Sequence, residues 1–307
     1  MAIQTAPFHI RSQGKILSQE PGTFGELRDS SDIAGDMTAL RTRMIDDGYL
    51  FLRGYLDRDD VLAARRELLE RAAGEGLFRD GTDVMDGVLK EDVKVSFRPD
   101  LTRKSEALAK VLFAGPMMSF FADFLKSEIR HFDYIWLRAV SPGKGTAPHG
   151  DSVFMNRGTT DLFTAWTPLG DIDRELGGLI VLENSHKLDE IRNTYGQRDV
   201  DTYCEDDPNA EEYRTTGKWA WSGQLSDDPV ALRERLGKRW LTADYRAGDL
   251  LIFTMFTLHA SLDNQSADRL RLSSDTRYQR ASDPIDERWI GDDPIAHGPG
   301  GKKSIIC

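Results

Sequence analysis

In the stretch Leu270-Arg271-Leu272-Ser273-Ser274-Asp275-Thr276-Arg277-Tyr278, the apolar Leu270, Leu272 and Tyr278 fall on one parity and the charged Arg271, Asp275 and Arg277 on the other. A period of two puts alternate side chains on opposite faces of a strand, and a helix cannot satisfy it. This half-buried strand closes a series that begins at His131. Its earlier members are His131–Val140, Leu162–Leu169, Leu176–Glu183, Trp240–Ala247 and Asp249–Thr257, separated by turns such as Ser141-Pro142-Gly143-Lys144-Gly145 and Ala247-Gly248-Asp249. The first part of the chain differs. Met37, Leu40, Met44 and Ile45 recur at helical spacing over Asp36–Asp47, and Gly48 ends that helix. Tyr49–Leu52 reads as a short buried strand, and a second helix runs from the acidic start at Asp57 to about Ala73. Residues 74–100 are rich in Gly and Asp and read as a loop, while Ser105–Phe124 reads as a helix broken in two by Pro116. Helices followed by many short strands predict an α+β chain with a β-barrel or jelly-roll core.

Composition narrows the function. Hydrophobic residues make up 39% and charged residues 30% of 307, enough to build a sizeable core. A net charge of −11 argues against a nucleic-acid surface and gives no support for docking on an anionic membrane. No run approaches 18 consecutive apolar residues, so no membrane span is expected. With two cysteines, Cys204 and Cys307, a disulfide framework is not expected and a reducing cytoplasm is the default. Residues 1–35 read as an irregular leader, and residues 188–235, acidic and weak in period, as an insertion or lid on a single catalytic domain spanning 1–307.

Chemistry concentrates at Ala147-Pro148-His149-Gly150-Asp151. In extended backbone His149 and Asp151 aim at one point, with Gly150 adding no bulk between them. An imidazole and a carboxylate there supply two-thirds of the two-His-one-carboxylate face that holds non-haem Fe(II). His259, at the end of Gly248–His259, is the best candidate for the distant second imidazole. Rivals exist. His131-Phe132-Asp133 repeats the H-x-D spacing but reads more simply as polar groups at a sheet edge. His186 sits in a polar turn, and His9 and His297 lie in irregular, solvated ends.

These motifs in this order resemble the phytanoyl-CoA dioxygenase family of Fe(II)/2-oxoglutarate-dependent oxygenases. The resemblance runs from about Gly48 to Gln279. It rests on the entry Asp47–Asp57, His149-Gly150-Asp151, Thr164-Ala165-Trp166-Thr167-Pro168-Leu169, Glu175–Lys187, Ala247–Phe253, His259-Ala260-Ser261 and the last Arg-bearing strand. It implies a double-stranded β-helix of the cupin or jelly-roll kind, flanked by the N-terminal helices. It implies His149, Asp151 and His259 as iron ligands, the insertion at 188–235 accounting for the long separation of the last two. It implies Arg271 as the fork that pairs with the far carboxylate of 2-oxoglutarate, because Arg271 stands seven residues before the aromatic Tyr278, with Arg269 as its rival. Ser261 would share that carboxylate, Trp166 would be a pocket aromatic, and Arg138 would place a second cation near cosubstrate or an acidic substrate. The reaction implied is hydroxylation of an unactivated C–H of a small molecule by O2, releasing succinate and carbon dioxide. Asp151 argues against halogenation, in which related enzymes leave that position open to chloride. Two other classes stay open: a Zn(II) metallohydrolase on the same three ligands, which has no use for Arg271, and a catalytically silent binding protein of the same fold. Substrate identity and oligomeric state are not legible.

Overall fold

The computed structural model describes residues 8–201 and 221–297. Cys204 and Cys307, on which the redox expectation rests, lie outside the described residues. Two short strands, β1 (Arg11–Ser12) and β2 (Lys15–Ile16), pair with each other, and β3 (Phe24–Glu26) follows. The stretch expected to be an irregular leader therefore carries strands. Two or three residues are too few to show a period, and β3 is held by a partner far along the chain.

Helix α1 (Met37–Asp47) starts where the Asp36 side chain accepts from the backbone N–H groups of Thr38 and Ala39, satisfying donors a helix start leaves open. It stops at Gly48, whose φ of +78° turns the chain straight into β4 (Tyr49–Leu52). Asp57 caps α2 (Arg58–Gly74), and Ser105 caps α3 (Glu106–Leu112). Pro116 falls in the first turn of α4 (Gly115–Leu125), where its missing N–H costs no hydrogen bond. Glu106–Leu125 has the length and apolarity of a membrane span, with a mean hydropathy of 1.4. It is instead two packed helices, with Leu108, Leu112, Met117, Phe120 and Phe121 fully buried.

The strands β5 (Ile129–His131), β6 (Trp136–Val140), β7 (Phe163–Pro168) and β8 (Leu179–Leu182) come next. Helix α5 (Asp189–Asn193) lies within the expected insertion and α6 (Pro229–Leu236) runs one residue past its end, and β9 (Trp240–Thr242), β10 (Leu250–Thr254), β11 (His259–Ser261) and β12 (Arg271–Arg280) complete the order. Among the described residues one sheet runs β4-β10-β7-β12-β5 with β6 also on β12, and a second runs β11-β8-β9-β3. The strand expected over 131–140 is thus two pieces on one partner. Their register on β12 slips by two between Tyr278↔His131 and Asp275↔Trp136, and Thr276 Oγ1 bonds the carbonyls of Phe132 and Tyr134 in the gap.

Alternation along the larger sheet assigns its two faces. Leu50, Leu52, Ala165, Leu250, Ile252, Leu272 and Tyr278 pack against α1 to α4; the Tyr278 ring stacks on Phe121 at 4.1 Å and its hydroxyl donates to the Leu112 carbonyl. Tyr49, Phe51, Trp166, Leu251 and Phe253 face the smaller sheet, meeting Leu179, Val181, Leu241 and Tyr245. This is a jelly-roll with helices on one side. The polar face of β12 is the surprise. Arg271, Ser273, Asp275 and Arg277 are all buried, because the second sheet covers them. Polarity there marks a lined interior, not a solvent face.

Gly48 carries two constraints at once. It sits at positive φ, and a Cβ would fall inside the His186 ring, whose Nε2 is bonded to the Ile45 carbonyl. Gly48→Ala should lose about 2 kcal/mol by urea denaturation, of which about 1 comes from the left-handed backbone. Adding His186→Ala should recover the remainder.

Candidate metal centre and its two cavities

His149 and His259 are joined by backbone. Each N–H donates to the other's carbonyl at 2.9 Å, so β11 and the loop before Asp151 form one antiparallel bridge. The imidazoles lie 4.2 Å apart, centroid to centroid. Gly150 is extended (φ −116°, ψ 147°), which brings Asp151 back to the same side before a 3-10 turn begins. Room is not what selects glycine at 150: a Cβ would meet only ordinary contacts, the nearest at 3.4 Å.

Hydrogen bonds fix which atoms face inward. His149 Nδ1 lies 2.8 Å from the Ala147 carbonyl and His259 Nδ1 3.1 Å from that of Thr257, so each Nδ1 carries the proton and each Nε2 keeps its lone pair. The Nε2 atoms stand 3.9 and 3.7 Å from Asp151 Oδ1. One ligand atom from each of the three residues can be chosen within 4.8 Å of the others, all buried. Burial pushes the His149 imidazole down to about 3 and lowers that of His259, so both are neutral at pH 7. Burial alone would raise the Asp151 carboxyl, but the Arg277 guanidinium and the Thr164 hydroxyl hold it well below the usual carboxylate range.

Arg277 and Thr164 escaped the sequence reading, yet they orient the carboxylate. They are directly paired across β12 and β7, and both reach Asp151 Oδ2, Arg277 Nη2 at 2.8 Å. Arg277 also binds Asp275 and lies over the Trp136 ring at 4.0 Å. The signal for Arg277 was present, since it shares the alternating face of Arg271; nothing local marks Thr164.

Two cavities flank this centre. The inner one is lined by Arg271, Ser261, Trp166, Arg138, His149 and His259 among others. Ser261 Oγ accepts from the Thr146 N–H at 2.7 Å, which leaves its own proton to donate. Trp166 also packs against Tyr245 in the inter-sheet core. Arg271 is 2% exposed, makes no ion pair or hydrogen bond among the described residues, and its Nε is without a partner. Burial, helped by Arg138, lowers it to about 10. Its rival Arg269 lies outside the strand, half-exposed, and pairs with Glu175 and Asp173. The outer cavity is wider, with a volume of about 280 Å³. Arg138, Thr146 and His149 line both.

The remaining histidines lie apart from this centre. His131 pairs with Asp133 at 3.4 Å and stacks on Phe113, on the edge strand β5. His186 serves α1 and His9 is exposed. His297 is not solvated as expected: it bonds the buried Asp201 at 2.8 Å, packs on Trp289 and Phe154, and lines the outer cavity. The described flanks of 188–235 clamp the His149–Val153 loop. Tyr195 Oη accepts from the Gly150 N–H, and Leu225 and Val200 bond the carbonyls of Pro148 and Val153.

A model of the phytanoyl-CoA dioxygenase (PhyH) family matches residues 44–272. A curated relative, the 1-deoxypentalenic acid 11-beta-hydroxylase of Streptomyces arenae, is 26% identical over 275 residues, covering 85% of this chain and 87% of its own. Among solved structures, the alpha ketoglutarate dependent carbocyclase SnoK from nogalamycin biosynthesis matches at 17% identity with a TM-score of 0.58, covering 85% of this chain and 94% of its own. The epimerase SnoN in complex with Fe3+, alpha ketoglutarate and nogalamycin RO matches at 20% identity and 0.54, covering 86% and 94%. These two likenesses establish the jelly-roll fold.

Arg277→Met would leave Asp151 buried without its counter-charge and Asp275 with Arg138 alone, at 3.8 Å. It should cost about 3–5 kcal/mol of stability by urea denaturation, and lower divalent-metal affinity about 10–100-fold by titration. Thr164→Val should lower that affinity less and leave the fold close to intact.

Proposed function

The chain belongs to the phytanoyl-CoA dioxygenase family, and from that premise we propose that it is a non-haem Fe(II)- and 2-oxoglutarate-dependent dioxygenase that hydroxylates an unactivated C–H of a small molecule. The observation that carries the reading is the pairing of two features in one interior. Three neutral or anionic donor atoms converge in a buried site, and the adjoining cavity holds Arg271, a buried cation whose side chain has no ion-pair partner among the described residues. A hydrolase on the same ligands has no use for that cation.

The donor set fits Fe(II): two imidazole nitrogens and one carboxylate oxygen, with the other carboxylate oxygen already committed to protein. His149 Nε2, Asp151 Oδ1 and His259 Nε2 would hold the metal. When bound, iron would let O2 oxidise both 2-oxoglutarate and the substrate carbon, one oxygen atom entering succinate as carbon dioxide is lost and the other becoming the product hydroxyl. The chain's own residues do the rest. Arg271 would bind the far carboxylate as a two-pronged fork, and Ser261 would donate its free proton to the same group. Trp166 would give the cosubstrate a flat apolar wall. Phe97, Trp136, Phe154 and Met155 would keep water from the reacting carbon in the outer cavity.

A single catalytic domain would carry this site, with 188–235 as a lid whose described flanks already tie the His149–Val153 loop in place. A reducing cytoplasm would suit an iron that must stay ferrous. The curated relative is named for an acid, which supports a small organic substrate.

Anaerobic titration of the Fe(II)-loaded protein with 2-oxoglutarate should produce the weak visible charge-transfer band of a bidentate chelate, and His259→Ala should lose it. Iron binding without any band would reject the cosubstrate. Asp151→Ala should abolish hydroxylation and weaken iron binding, and unchanged turnover would remove Asp151 from the ligand set. Arg271→Ala should raise the 2-oxoglutarate concentration needed for half-saturation by about 100-fold, since two charge-assisted hydrogen bonds are lost. Arg269→Ala should leave it unchanged, and the reverse ranking would move the anchor to Arg269.

A further inference from the structure

Charge in the two cavities does not balance. Among the described residues, the charged side chains lining them are Arg138, Arg271 and Arg277 against Asp151 and Asp275. Three guanidinium groups face two carboxylates. A ferrous ion and a 2-oxoglutarate dianion cancel each other and leave that excess in place. Geometry says which guanidinium is surplus. Arg277 is spent on Asp151 and Asp275. Arg271 looks into the inner cavity. Arg138 makes no hydrogen bond to protein among the described residues; its nearest carboxylate is Asp275, at 3.8 Å, whose Oδ1 is already taken by Arg277. It stands on β6 opposite Ser273, with its guanidinium carbon 5.1 Å from the Phe97 ring centroid, on the wall shared with the outer cavity. That cavity's large apolar lining residues are Phe97, Trp136, Phe154 and Met155, alongside the polar Thr146, Ser222, Gln224 and His297.

We propose that the outer cavity takes an anionic small molecule with a compact apolar body, its carboxylate seated on Arg138 and its aliphatic carbons turned toward His149 and Asp151. This rests on the oxygenase reading and adds the substrate class to it. A carboxylate there would complete the charge balance and give Arg138 the hydrogen-bonded partner it lacks. The apolar body would cover the aromatic wall. A neutral substrate would leave a partly buried guanidinium to be desolvated without return.

Adamantane-1-carboxylate and adamantane-1-carboxamide have nearly the same shape and differ in charge. Each is titrated anaerobically into the wild-type Fe(II)·2-oxoglutarate holoenzyme by calorimetry, with the charge-transfer band followed in parallel. The carboxylate should bind about 10-fold or more tighter than the amide, the worth of a charge-assisted hydrogen bond. Arg138→Gln should erase that preference, leaving the carboxylate no tighter than the amide. Equal affinity for the two probes, or no binding of either with the band intact, would overturn the proposal without any variant. So would an Arg138→Gln protein that loses 2-oxoglutarate affinity and keeps the probe preference, since Arg138 would then belong to the cosubstrate. Absence of the band in wild type would instead overturn the oxygenase reading, and this inference with it.

Discussion

The two oxygens of Asp151 do different things, and the site depends on that division. Oδ2 is held by Thr164 and Arg277, while Oδ1 faces two imidazole lone pairs. The division follows from strand register. Thr164 and Arg277 are cross-strand partners, so their side chains rise from the same spot on the sheet toward one oxygen. A slip of one residue in β12 would turn Arg271, Asp275 and Arg277 into the helix layer and bring Leu272 and Tyr278 into the site. Such a slip is blocked on the other face, where the Tyr278 hydroxyl is bonded to Leu112 and its ring lies on Phe121. The apolar packing of the helices therefore sets the polar geometry across the sheet.

The smaller sheet supplies the other half of the frame. His259 leads β11 and is bridged by backbone to His149, so two of the candidate ligands share one pair of hydrogen bonds. Groups that must converge within a few ångströms are better placed by ladder hydrogen bonds than by loop conformation. Asp151 alone lies beyond regular pairing, in a 3-10 turn. There the chain adds ties from outside the sheet, through Tyr195, Leu225 and Val200.

Much of this was legible in sequence because periodicity and turn residues are local. The capped helices, Gly48, the break just ahead of Pro116 and the strands over 162–183 and 249–278 follow from such signals. The short strands near the N-terminus were hidden, since β3 exists through a parallel partner more than two hundred residues away. At the site, the spacing of His149 and Asp151 pointed to one another, and the structure places His259 beside them. Arg271 and Arg269 could not be separated by alternation; the onset of β12 at Arg271 separates them, because Arg269 lies before the strand and swings to the surface acids. His297 was misplaced because its burial comes from Asp201, Phe154 and Trp289, none adjacent in sequence.

The outer wall shows how the chain holds a C-terminal stretch over the cavity without long strands to anchor it. Arg288 is 2% exposed and bonds Asp286, Asp199, Asp201 and the Phe154 carbonyl. One planar cation thus joins residues near 154, 199 and 286, and Asp201 extends the network to His297 at the cavity edge. Burying that many charges is costly unless every partner is in place. For that reason the network tolerates few alternative arrangements. An apolar patch of the same size would pack as well but would let the segments slide. The cation and its acids make the wall's position specific, and with it the distance between the cavity's aromatic side and the three donors.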